Sequence, residues 1–162
     1  MKQFEIENIK KFTGALFTGE AFDNFCVTEA SFSTLIDVTI DGHINNEFLE
    51  ESRKAPQSAG KDWTVRWKKI KPLCFDIIKG QRVPLKFKIV FMMPRAGVSR
   101  FIDDAGAAFK EDQVNGLFMN VRYEAGRLDV ITGTSLKEFS LDKSLEEAWD
   151  ARIGKFMNEI TD

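Results

Sequence analysis

Apolar and polar positions along this chain repeat in two ways, every second residue or every third and fourth, and the changes between the two mark out its elements. Phe4 and Ile6 alternate within Met1 to Ile6, which predicts a short strand. Asn8 then stands where a helix cap is needed, ahead of a stripe of Ile9, Phe12 and Leu16 with Lys10 and Lys11 turned away. Gly19 supplies a stop. From Phe22 to Ile44 the pattern becomes period two, with Ile36, Val38 and Ile40 set against Asp37, Thr39 and Asp41, and two strands broken near Ser33 are expected. Asp41-Gly42 reads as a tight turn or a strand end.

Residues 45–60 carry no apolar period and read as a polar surface loop. Ile70, Leu73, Cys74, Ile77 and Ile78 return to helical spacing, with Pro72 expected in the first turn and Gly80 as the end. Leu85 to Met93 is a strand closed by Pro94, and Val98, Phe101, Ile102, Ala105, Ala108 and Phe109 form an amphipathic helix. Leu117, Met119, Val121 and Tyr123 alternate with Asn120, Arg122 and Glu124, and Ala125-Gly126 turns the chain into Leu128, Val130 and Thr132, a hairpin. Gly133-Thr134 is expected to turn again into a third strand through Leu136 to Leu141. Ser144 with Glu147 resembles a capping box opening a last helix, whose stripe is Leu145, Trp149, Ile153 and Phe156.

The expected class is therefore α+β, an antiparallel-rich sheet with helices on one face. It forms a single domain over residues 1–162: a first half at 1–44, a linker with polar loop and basic helix at 45–83, a second half at 84–141 and a C-terminal helix at 142–162. Both halves run strand, helix, then two or three strands. A βαβββ-like unit occurring twice resembles one domain of the sliding clamps that encircle DNA. Clamps line their hole with basic helices, however, and here Arg95 to Asp112 holds three positive and four negative residues, a departure that argues against sliding on DNA. The stretch from Gly133 through Ser135 and Leu136 to Trp149 also resembles a family of short bacterial proteins of unknown function, a likeness that implies no activity.

A chain of 162 residues with 43 % hydrophobic and 30 % charged residues can bury a core without metals or disulfides, and its two cysteines, Cys26 and Cys74, are expected as reduced thiols. No apolar run approaches bilayer length, the longest being Ile89 to Met93, and Met1 to Lys11 has no signal-peptide stretch. A soluble cytoplasmic protein without membrane contact is the simplest expectation.

The net charge of −2 argues against a globally basic nucleic-acid binder, but the charge is unevenly distributed. Residues 61–88 hold nine positive and two negative side chains, so this stretch carries +7 and the remainder of the chain −9. Arg66, Lys68, Lys69, Lys71, Lys79, Arg82, Lys86 and Lys88 are interleaved with Trp63 and Trp67, the combination that ion pairing and stacking on an acidic partner would use. Nucleic acid and an acidic protein surface both fit. The bland reading is a solvated helix and strand face, with pairing to Glu47, Glu50 and Glu51 as a third possibility worth roughly 0–1 kcal/mol per exposed pair.

Catalytic chemistry has few carriers. His43 is the single histidine, so a small hydrolase or transferase would run through it, oriented by Asp41 or paired with Cys26. One histidine and two cysteines 48 positions apart match no zinc pattern, and Glu20-Ala21 stands where a phosphate loop after Gly14 and Gly19 needs Lys-Ser/Thr, so neither metal nor cofactor is expected. A non-catalytic binding or scaffold module leads, ahead of the His43 enzyme and of a purely structural homo-oligomer subunit.

Overall fold

A computed structural model describes residues 1–49 and 62–162. Seven strands form one antiparallel sheet: β1 (Gln3–Ile6), β2 (Cys26–Ser33), β3 (Asp37–Asp41), β4 (Val65–Arg66), β5 (Lys86–Met92), β6 (Val114–Glu124) and β7 (Arg127–Leu136). Their order is β1-β7-β6-β5-β2-β3, with β4 also paired to β2. Among the described residues four α-helices, α1 (Ile9–Phe17), α2 (Trp67–Ile78), α3 (Arg95–Ala105) and α4 (Ser144–Thr161), complete an α+β fold.

Period two explains which side of the sheet is covered. Phe87, Ile89 and Phe91 of β5 share a face with Leu117, Met119 and Val121 of β6 and with Leu128 and Val130 of β7, and all are buried. Onto that face pack Phe12 and Leu16 of α1, Trp67 and Cys74 of α2, Val98 and Ile102 of α3, and Leu145, Trp149, Ile153 and Met157 of α4, in a single core. Two indoles fix the layers. Trp67 Nε1 donates to Leu16 O at 2.8 Å, joining α2 to α1, and Trp149 Nε1 donates to Phe118 O at 2.8 Å, joining α4 to β6. A buried indole N–H needs such a partner, so each bond sets orientation as well as burial. The other face, with Lys86, Lys88, Val90 and Met92 of β5, has no described helix against it.

Several local expectations hold: Asn8 caps α1 through Lys11 N at 3.1 Å, β2 and β3 break after Ser33, and the β6–β7 hairpin turns at Ala125-Gly126. Others are corrected. Pro72 lies inside α2 rather than in its first turn, because the helix begins at Trp67, where the indole anchors it. β7 runs straight through Gly133-Thr134, since β6 is eleven residues long and offers partners as far as Val114. The expected third strand at 136–141 is thus mostly an exposed connection. Ser144 is the first helical residue and not the cap; the Asp142 carboxylate accepts its amide at 2.9 Å. The polar loop expected at 45–60 begins with a short 3₁₀ turn at Asn46–Phe48, and its remainder lies outside the described residues.

The hairpins β2–β3 and β6–β7 correspond between the halves. Their surroundings differ: β5 sits between β2 and β6, whereas among the described strands β1 pairs with β7 alone.

Candidate functional site

The open face is organised in rows, because side chains directly opposite one another on neighbouring antiparallel strands point the same way. One row runs Thr39 (β3), Ser31 (β2), Lys88 (β5), Arg122 (β6), Asp129 (β7) and Glu5 (β1). The next, toward the end of the sheet, runs Asp37, Ser33, Lys86, Glu124 and Arg127. Apart from Glu5, the residues of the two rows line a concavity of about 850 Å³. Charges alternate sensibly at its margin: Arg127 pairs with Glu5 at 3.3 Å and with Asp129 at 3.5 Å. At its centre they do not. Lys88 and Arg122 face each other, and among the described residues neither forms an ion pair. Like charges so placed destabilise a sheet by roughly 0.2–1 kcal/mol, and a bound anion would reverse the sign.

The basic segment of residues 61–88 is divided by the sheet. Lys68 and Lys69 are exposed on α2, on the helical side, while Lys86 and Lys88 stand on the open face. Lys71 is a structural cation, its Nζ 2.6 Å from Asp23 Oδ1 and 2.7 Å from Gly19 O in a half-buried setting. Lys79 pairs with Asp76 at 2.9 Å on the surface, and Arg82 is exposed in the connection before β5. Arg66 bonds Asp62 at 3.1 Å and Asn24 O at 2.8 Å, and Asp62 in turn accepts the amide of Arg95 at 2.6 Å, tying β4 to the start of α3. Trp67 belongs to the core and offers no stacking surface; Trp63 is partly exposed, its carbonyl accepting from Ile44 N. Lys61, Glu50 and Glu51 lie outside the described residues.

His43 is 63 % exposed just after β3, its Nδ1 2.6 Å from Asp41 Oδ1. That same oxygen accepts the His43 amide at 2.9 Å, and the amide, then the ring, holds the Asp41 carboxyl below its ordinary range. The orienting acid is therefore present. Cys26 does not complete the arrangement: no hydrogen bond joins it to His43, it is fully buried, and burial, with the Asp62 charge adding to it, pushes its thiol up to about 11. Burial alone takes Cys74 to about 12. A thiol so raised is a packing group at neutral pH. No group of three or more potential metal-ligating side chains gathers among the described residues, and no described helix is long and apolar enough to cross a membrane.

The family model matches residues 15–161, from the last turn of α1 to the end of α4. The chain belongs to DUF5721, a family of unknown function. Comparison with curated proteins and with solved structures gives no match. The stretch shared with DUF5721 includes every strand of the open face except β1.

Within this DUF5721 chain, Arg122 and Arg127 are the open-face cations that sequence reasoning overlooked. Their signal was present in the alternation of Asn120, Arg122 and Glu124, which puts all three on the polar side of a strand. What was missing was the pairing of β5 with β6. The two strands are separated in sequence by α3, and their register puts Arg122 opposite Lys88.

Proposed function

We propose that this protein is a non-catalytic binding module whose open sheet face, at Lys86, Lys88 and Arg122, receives an acidic segment of another protein. The single observation that carries the reading is the Lys88–Arg122 pair at the centre of the concavity, two cations face to face with no ion-pair partner among the described residues. An acidic protein segment suits it better than nucleic acid because Asp37, Glu124 and Asp129 also line the concavity. A continuous phosphate backbone would meet those carboxylates, whereas a polypeptide can space its own acids to fall on the cations. The His43–Asp41 pair is exposed and Cys26, the nucleophile the sequence offered it, is a buried packing thiol, so the pair does not carry a second reading.

The test is fluorescence anisotropy of a labelled glutamate-rich peptide at low salt, with a single-stranded oligonucleotide in parallel. Saturable peptide binding that weakens as salt approaches the physiological range, and is lost in Lys88→Glu/Arg122→Glu, is the expected result. Preference for the oligonucleotide, or binding indifferent to the double variant, would overturn the proposal.

A further inference from the structure

Three chain segments meet at the end of the sheet beside Lys86: the β2–β3 turn, the connection leading into β5, and the β6–β7 turn. The first two are joined where the Leu85 amide donates to Ser33 O at 2.9 Å. Both carry large apolar side chains in water: Leu35 is 99 % exposed, Val83 71 %, Leu85 68 % and Ile36 66 %. A turn linking two strands needs no leucine and isoleucine at its tip, because turn geometry is served by small polar residues. Single exposed apolar residues are ordinary, but four on two bonded segments form a patch of the kind that marks an interaction surface.

The patch adjoins the cationic concavity at the end of the sheet: Ser33, Asp37 and Lys86 line the concavity and are near neighbours in the chain of Leu35, Ile36 and Leu85, although Leu85 alternates with Lys86 and leaves the strand on its other side. Lys86 follows Leu85 directly, Ser33 lies opposite Lys86, and Leu35 is two residues beyond Ser33. At a rise of about 3.3 Å per residue, the apolar tip lies roughly 10–15 Å along the strands from the Lys88–Arg122 row. Two or three turns of helix, or about four extended residues, span that distance.

We infer that the partner segment is amphipathic, setting its carboxylates on Lys88 and Arg122 and its apolar side chains against Leu35, Ile36, Val83 and Leu85. Resting on the reading above, this adds what the charges alone do not specify. The cations fix where the segment lies, and the apolar end selects which acidic segments bind, because a purely polar polyanion leaves the patch wet.

Two labelled peptides of equal negative charge test it against the full chain, one combining glutamate with leucine in an amphipathic helix, the other replacing each leucine by serine. Phosphatidylserine vesicles serve as a third arm. The amphipathic peptide is expected to bind about tenfold or more tighter than its serine counterpart, the equivalent of burying one or two aliphatic side chains. Leu35→Ser/Ile36→Ser should abolish that difference while leaving the weaker salt-sensitive binding of the serine peptide in place, with the circular dichroism spectrum unchanged because both side chains are exposed. Equal affinity for the two peptides would overturn the inference and leave the proposed function standing. Binding of neither peptide would overturn both, and adsorption to the vesicles without peptide binding would assign the apolar end to lipid and likewise refute the partner named here.

Discussion

Gly42 shows how closely a single residue is constrained where β3 leaves β2. Its amide donates to Thr28 O at 2.9 Å and its carbonyl accepts from Val65 N at 2.8 Å, so the backbone is held between β2 and β4 beside the bulge at Val27–Glu29. A Cβ built there would lie 1.8 Å from Val27 O, a contact that only backbone movement relieves. Gly42→Ala should therefore destabilise by about 1–3 kcal/mol, as an overpacked site does, measured by urea unfolding. Gly14 is the internal control. It lies within α1 with nothing within 4 Å of an added Cβ, so Gly14→Ala should stabilise by about 0.5–1 kcal/mol. Equal effects at the two glycines would contradict the close approach at Gly42. Sequence alone pointed to this place, since Asp-Gly after an alternating run marks a strand end, but it left a tight turn open as the alternative. The bridge of His43 to Thr64 decides for the strand end, and its second half lies 21 residues further on.

Elements were legible wherever one periodicity ran without interruption, as in β5, β6 and α4, because a half-buried strand and a one-faced helix each impose a period on composition, whereas the helical spacing read through Ala108 and Phe109 overruns α3, which ends at Ala105 where Gly106 turns left-handed. Legibility failed where tertiary contacts overrode a local signal. Pro72 pointed to a helix start, yet α2 begins five residues earlier because Trp67 must reach Leu16 O. Gly133-Thr134 pointed to a turn, yet β7 continues because β6 supplies its ladder. An interior proline removes one amide donor and crowds the carbonyl four residues back, and Pro72 does so on the exposed side of α2. Pro72→Ala should accordingly stabilise the protein by about 1–3 kcal/mol, read as a higher urea midpoint at unchanged slope. A neutral or destabilising result would mean that α2 is not a continuous helix across that position.

For the whole molecule, the sheet divides the chemistry. The covered face takes the buried aromatics of the core, and the described cations of residues 62–88 are parted between β4, α2, the connection after it, and β5. Composition showed that positive charge was concentrated in the middle of the chain. It did not show that Lys71 and Arg66 serve the fold, that Lys68 and Lys69 face away from Lys88, or that Arg122 completes the central pair. The last of these follows from strand order, which sets Arg122 opposite Lys88 on the far side of α3 in sequence. The membership in DUF5721 leaves function to be read from this surface. The most direct measurement is a ¹H–¹⁵N correlation spectrum of the full chain titrated with the glutamate-rich peptide. Shifts confined to the amides of β2, β5 and β6 around Ser31, Lys88 and Arg122 are the predicted result, and shifts centred on Lys68 and Lys69 of α2 would contradict it.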